Sequence, residues 1–363
     1  MTQVLQRPTS TDPANEELPL RGWVVRSRGI SMRLDPRSFV VCSLLAAATV
    51  AVGCWSISVG DFPIPISDVI ATVFGGGSED ADFIVRTLRL PRALTGALVG
   101  LAFGISGAIF QSLARNPLAS PDIIGFNSGA AVGAVFVIVI LGGSSSQVAF
   151  GAVSGGVITA LLVFFLAIKG RGVQAYRLVL VGIGIGFAAT AVVDYLITRA
   201  EIFDVQRAAV WLTGSLNGRS WDDVRTVGLA LLVLTPLAVL MQRWLDRLEL
   251  SDDVAAGLGV PVGRAKLALV LVGVALAALA VAAAGPIGFV AFVAGPIARR
   301  LVDTPGAALI PAGFTGALVT VAADLAARRV LAPTELPVGI ATAVIGAPYL
   351  LWLLSRQGRT GAL

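Results

Sequence analysis

The sequence predicts an all-α integral membrane protein of ten transmembrane helices with both termini in the cytoplasm. Three observations carry that prediction. Hydrophobic residues fill 56% of the 363 positions and charged residues only 13%, a balance foreign to a water-soluble domain. Apolar runs recur along the chain at close to the roughly 20 residues that a helix needs to cross a bilayer. Of the 27 lysines and arginines, twice as many fall in alternate segments that include both ends as in the intervening ones, which puts the richer set inside. The net charge of +5 is thereby read as topology-setting, with membrane lipid and no nucleic acid as the partner.

Residues 1–37 are polar, contain Pro8, Pro13 and Pro19, and carry six arginines against four acids. They read as a disordered basic cytoplasmic tail, without the apolar core of a cleaved signal. The transmembrane domain is expected over 38–356 and a short cytoplasmic tail over 357–363. Its first span covers about 39–57. An outer segment with Pro63, Pro65, three glycines at 75–77 and the acids Glu79, Asp80 and Asp82 follows, expected as a short amphipathic helix and loop. The second span opens at a corner made by Arg89, Leu90, Pro91 and Arg92. Gly96, Gly100 and Gly104 then strip one helix face, so that a neighbouring backbone can approach closely. This helix ends among Gln111, Ser112, Arg115 and Asn116 and breaks at Pro117 and Pro121, which makes the turn a candidate gate.

Further apolar runs lie at 123–141, 148–168, 178–198, 226–242, 267–283, 287–298, 307–323 and 338–354, the run at 287–298 being short and interrupted by Pro296. Asp194 precedes Arg199, and Asp324 precedes Arg328, where two spans reach the outer face. Internal duplication and chance both account for so short an echo. Cys42 and Cys54 stand about 18 Å apart along a helix, too far to pair or to share a metal. The chain has no histidine, the commonest transition-metal ligand and general base. Without metal-spaced ligands or paired intramembrane acids, it does not read as an enzyme.

The inner connection over 243–266 has its own signals. Ser251 followed by Asp252 and Asp253 is a helix start, the hydroxyl capping free amides and the acids opposing the dipole. Val254, Ala255 and Leu258 give a weakly apolar face, and Gly257 and Gly259 permit a tight end before Pro261. A short helix of this kind is shaped for a groove in another protein, or is an ordinary interfacial helix. The chain has no GxxxxGK[ST] phosphate loop, so any ATP is consumed by a partner and no cofactor is expected here. Gly182, Gly184 and Gly186 lie inside an apolar run and read as helix packing.

Several of these stretches resemble one family. Arg89 to Arg92, Ser106, Gly107 and Ala108 with Gln111, and Asn116 to Ala119 with Pro121 and Gly125 are similar to the second helix and following turn of the vitamin B12 and ferric-siderophore ABC permeases. Ala256 to Val260 resembles the loop that docks on the ATP-hydrolysing subunit. Ala284 to Phe289, Pro296, Arg299, Asp324, Arg328, Glu335 to Gly339 and Gly346 to Pro348 resemble the family's C-terminal half, so the likeness spans about 39–356. One departure is Gly295 and Pro296, where many members carry Pro-His.

The resemblance implies a permease that works with an ATP-binding-cassette ATPase, an extracytoplasmic substrate-binding protein, and a second permease copy or a homologous one, in the cell membrane. It implies binding-protein docking at Arg89, Arg92 and Arg328, where bidentate guanidinium groups would meet surface glutamates; Arg328 also stands four residues after Asp324 and could simply neutralise it. It implies ATPase coupling through Ser251, Asp252, Ala256, Gly257, Leu258 and Gly259. The cytoplasmic gate is expected at Asn116 and Leu118 with Ala175 and Tyr176, although Asn116 could equally cap its own turn. The implied cargo is an iron-siderophore or similar large metal chelate, with cobalamin or haem as alternatives. An ion-coupled secondary transporter is the alternative of another class, but Asp194 and Asp324, the only acids near the spans, both fall at outer ends.

Overall fold

A computed structural model describes residues 23–27, 30–77, 79–121, 125–169, 172–173, 175–303, 306–332 and 334–360. It divides into two compact units, Met1–Val40 and Val41–Leu363. In the first, β1 (Trp23–Ser27) and β2 (Ile30–Leu34) pair antiparallel, with Trp23 opposite Leu34 and Ser27 opposite Ile30. The stretch read as a disordered tail thus holds a hairpin near its end. Val24, Val25 and Ile30 favour extended backbone, a signal that the surrounding arginines obscure. Residues 1–22 of that tail lie outside the described residues, as do residues 361–363 at the other end. α1 (Pro36–Ser58) starts behind Asp35, whose carboxylate accepts the amides of Arg37 and Ser38 at 3.4 Å each. Pro36 occupies the first helical position, where its missing N–H costs nothing.

Among the described residues, the regular structure that follows is helical apart from one short strand pair. α2 (Ile66–Val73) and α3 (Glu79–Asp82) occupy the segment expected to hold a short amphipathic helix. No corner forms at Arg89 to Arg92. Instead a π-helical turn over Phe83–Arg89 runs directly into α4 (Leu90–Ala114), and Pro91, which has no N–H to give, sits where the wide turn hands over to α geometry. α5 (Phe126–Val139) and α6 (Ser145–Ala167) form a hairpin, followed by the paired strands β3 (Ile168–Lys169) and β4 (Gly172–Val173). α7 (Ala175–Thr198), α8 (Ile202–Thr213) and α9 (Trp221–Leu250) come next. α10 (Asp252–Gly257), α11 (Val262–Ala284), α12 (Val290–Val302), α13 (Leu309–Arg329) and α14 (Val338–Thr360) complete the chain.

Seven helical stretches among the described residues are long and apolar enough to cross a membrane: α1, the continuous Phe83–Ala114 rod, α6, α7, α9, α11 and α13. The apolar parts of α5 and α14, Phe126–Val139 and Val338–Trp352, are shorter. So is α12, at 13 residues. The apolar run at 287–298 is displaced to Val290–Val302, because Phe289 takes a left-handed conformation (φ 68°) that starts the helix late. α9 continues to Leu250 and absorbs the front of the segment expected as a loop over 243–266. Its amphipathic end keeps Leu245 and Leu248 buried among charged neighbours, so burial prolongs the helix beyond the apolar run.

α4 is the centre of the packing. In the Phe83–Ala114 rod 72% of the apolar window is buried, against 11% in α1 and 17% in α7, so neighbouring helices, not lipid, surround it. α9, α11, α12 and α13 all pack on it. The close approach to α13 depends on glycine on both sides: a Cβ on Gly100 would stand 2.3 Å from the Gly316 carbonyl oxygen, and one on Gly316 would stand 2.2 Å from that of Gly100.

The two acid-before-arginine echoes do not share a structure. Arg328 pairs with Asp324 at 3.3 Å, whereas Arg199 lies 5.5 Å from the Tyr195 ring centroid, a cation–π contact, and Asp194 is exposed.

Candidate functional site

The predicted functional residues gather at the two ends of α4, a 25-residue helix and hence about 37 Å long. At its first end the guanidinium groups of Arg92 and Arg328 close on Asp324, whose side chain is only 4% exposed. Arg92 donates to Asp324 Oδ1 from Nη2 at 2.9 Å and from Nε at 3.2 Å, and its Nη1 reaches Glu335 Oε2 at 3.1 Å. Arg328 Nε stands 3.3 Å from Asp324 Oδ2, and its Nη2 donates to the Ser56 carbonyl and hydroxyl oxygens. A buried carboxylate between two cations is the arrangement that a low-dielectric interior tolerates. Arg89 is bound differently, donating to the carbonyl oxygens of Ile57 at 2.6 Å and Phe62 at 2.8 Å. It forms no ion pair among the described residues. All three arginines named for docking therefore hold this end of the molecule together, and the alternative of Arg328 as the neighbour neutralising Asp324 is realised in the geometry.

The other end of α4 meets α10. Ser251 caps that helix, its hydroxyl oxygen accepting the Val254 N–H at 3.1 Å. Ala255 and Val260 are buried and anchor the segment, while Ala256, Gly257, Leu258 and Gly259 between them are all exposed, Leu258 to 54%. An exposed leucine between two buried anchors is a small apolar tip, more than half of it left uncovered by the described residues. Asp252, named as part of the same set, turns inward. Its Oδ1 takes Arg115 Nη2 at 2.6 Å and its Oδ2 takes Lys266 Nζ at 2.5 Å.

The turn after α4 is held by side chains. Arg115 ends the helix in a left-handed conformation (φ 49°, ψ 36°). Asn116 Oδ1 accepts the Leu118 N–H at 2.9 Å, the self-capping contact that sequence left as one of two readings. Gln111, 1% exposed, donates to the carbonyl oxygens of Pro117 and Phe292 at 2.9 Å each and so ties the turn to α12. Gly295 makes room for it: a Cβ there would lie 2.1 Å from Gln111 Oε1. Asn116, Leu118, Ala119 and Ser128 face Val179, Gly182, Ile183, Gly186, Phe187 and Thr190 of α7 across a cleft of about 440 Å³. The gate candidates are thus only half assembled. Asn116 and Leu118 share that cleft, but Ala175 and Tyr176 do not line it, and Tyr176 is 77% exposed at the start of α7.

A larger cavity of about 610 Å³ lies between α5, α6, α8 and α11, with Arg207, Arg219, Gln206 and Asn217 among its lining. Sequence reading missed α8, Arg115 and Lys266 as parts of a site. From sequence Arg115 reads as part of the polar turn that ends the second span, and Lys266 as one more inner cation. The signal available was the acid at 252 with cations at 115 and 266 in segments assigned to the same side.

A family model described as the FecCD transport family matches residues 48–356, most of the chain. The chain belongs to that family. Its FecCD relatives include the ferric enterobactin transport system permease protein of Escherichia coli (strain K12), 40% identical over 323 residues that cover 89% of this chain and 98% of that protein. The Fe(3+)-citrate import system permease protein of Bacillus subtilis (strain 168) is 37% identical, covering 90% and 98%. A solved inward-facing structure described as a metal-chelate type ABC transporter matches with a TM-score of 0.78 at 26% identity, covering 87% of this chain and 99% of that one. The resemblance of this chain to the ferric-siderophore permeases is thereby confirmed.

Proposed function

We propose that this chain is the permease subunit of an ATP-driven importer for ferric siderophores or similar large iron chelates. The carrying observation is the exposed apolar tip from Ala256 to Gly259 on a helix fixed by buried Ala255 and Val260, in a chain without a phosphate loop of its own. Such a tip supports docking of an ATP-binding-cassette ATPase, whose nucleotide cycle moves α10 and switches access between the two membrane faces. The cargo follows the relatives, which are named for ferric enterobactin and Fe(3+)-citrate and which this chain matches over 98% of their length. In this reading the chain crosses the cell membrane ten times with both termini cytoplasmic. Two permease copies, or this chain with a homologous one, enclose the pathway. An extracytoplasmic binding protein delivers cargo at the rim formed by Arg89, Arg92 and Arg328, and the Asn116–Leu118 turn closes the cytoplasmic end with the start of α7 at Ala175 and Tyr176.

The test is reconstitution with the partner ATPase and binding protein, measuring ATP-dependent uptake of ferric enterobactin, ferric citrate, cobalamin and haem. Uptake of an iron chelate is expected. Leu258→Asp is expected to cut ATPase binding and uptake at least tenfold while leaving the thermal midpoint little changed, because this residue is 54% exposed. Uptake that persists without any ATPase and collapses with the ion gradient would replace this reading with a secondary transporter.

Docking at the rim has a separate readout. Arg89→Glu is expected to raise the KM for the loaded binding protein several-fold and to flatten its salt dependence, since exposed charge pairs steer association and are screened by ions. Salt-sensitive uptake identical to wild type would remove Arg89 from the docking set.

A further inference from the structure

We propose that Arg115 is the positioning residue that carries the displacement of α10 into the Asn116–Leu118 turn. The inference rests on the importer reading above and adds the physical connection between its coupling helix and its gate. Arg115 faces both. Its guanidinium donates from Nη2 to Asp252 Oδ1 at 2.6 Å and from Nε to the Leu248 carbonyl oxygen at 2.9 Å, so one side chain grips the first residue of α10 and the end of α9 together. Lys266 holds the second oxygen of Asp252 from the start of α11. Four helices therefore meet at a single carboxylate and its two cations.

The backbone of the same residue ends α4. Its N–H reaches the Ser112 carbonyl oxygen at 3.1 Å, and the next amide, that of Asn116, reaches Gln111 at 3.0 Å. Asn116 Oδ1 then fixes the Leu118 amide. From Asp252 to Leu118 the path is one ion pair, one residue of backbone and one side-chain turn. The left-handed conformation of Arg115 is costly for a residue with a Cβ, and the anchored guanidinium holds it there.

Residue type matters at this position. Two acceptors on different helices need a planar fork with several fixed N–H groups, which a lysine ammonium on a flexible stem does not supply. The ion pair is also partly solvated, with side chains 42% and 39% exposed, and such pairs contribute little to stability. Its loss is therefore expected to spare the fold and disturb the transmission.

The experiment uses the complete reconstituted transporter in a Cys42→Ser, Cys54→Ser background with Leu118→Cys as reporter, once uptake by that protein is confirmed. Arg115→Asn is the main variant, because asparagine tolerates the left-handed region but cannot reach Asp252. Expected are ATPase binding and ATP hydrolysis within about twofold of the parent and uptake per ATP reduced at least tenfold. Thiol labelling at position 118 should no longer respond to nucleotide. Arg115→Lys should restore part of the uptake-to-hydrolysis ratio. Arg115→Asn combined with Asp252→Asn should lose less than the product of the two single losses, as coupled residues do.

An unchanged uptake-to-hydrolysis ratio in Arg115→Asn overturns the proposal. So does nucleotide-dependent labelling that survives the substitution, or a parallel fall of hydrolysis and uptake, which would mark a merely structural residue. A parent protein that takes up chelate without responding to nucleotide would refute the importer reading itself, and the connection with it.

Discussion

Gly100→Val is expected to eliminate the folded protein. The α4–α13 contact is backbone on backbone: the added Cβ would come within 2.3 Å of the Gly316 carbonyl oxygen and 2.6 Å of Thr320 Oγ1, and a carbonyl of an intact helix has nowhere to turn. Relief requires the two helices to separate, which opens a void along the most buried of the seven candidate spans among the described residues. Overpacking typically costs about 1–3 kcal/mol and occasionally more, and here it falls as a backbone clash on the contact that organises the core. The measurement is monodisperse yield after detergent extraction, with the thermal midpoint of whatever survives. Gly53→Ala serves as the matched control, since nothing lies within 4 Å of a Cβ at that position and alanine favours helix. Wild-type behaviour of Gly100→Val would mean that α4 and α13 are not in backbone contact.

The second large effect is expected at Asp324. Substitution by alanine leaves Arg92 and Arg328, 12% and 11% exposed, facing each other without their shared anion. Removing one partner from a buried ion group costs about 3–5 kcal/mol, which should lower the thermal midpoint by roughly 5–15 °C. Removing the whole group costs less than breaking it. Asp324→Ala combined with Arg92→Met and Arg328→Met should therefore recover part of the loss, because desolvation of the cations disappears with the cations. A triple variant less stable than Asp324→Ala alone would show that the arginines contribute chiefly through Glu335 and Ser56.

Membrane helices announce themselves because hydrocarbon demands apolar length, and among the described residues seven helical stretches of that length, with shorter apolar helices beside them, fall on the apolar runs. Where the run and the helix part company, a local interaction decides. Phe289 delays α12, and buried Leu245 and Leu248 carry α9 past the last apolar stretch to Leu250. α8 stayed invisible because its residues alternate between polar and apolar without the length of a span. The short helix α10 was legible because Ser251 with Asp252 and Asp253 marks its start, and Gly257, Gly259 and Pro261 mark its end. The ion cluster was legible only in part: four residues of spacing show Arg328 beside Asp324, but Arg92 arrives from 232 positions away, and only packing brings it there. The same holds for Arg115, whose partners Leu248 and Asp252 lie on two other elements.

One property of α4 extends to the whole molecule. It is pinned by Arg92 at one end and by Arg115 at the other, and between them it contains no proline and no break. A rod of 23 residues between its pins is roughly 34 Å long, so tilting it by only 5° about the Asp324 fulcrum swings the far tip through roughly 3 Å, close to the diameter of a water molecule. A displacement imposed on the far tip would likewise lean on the fulcrum, because nothing between the two pins offers a hinge.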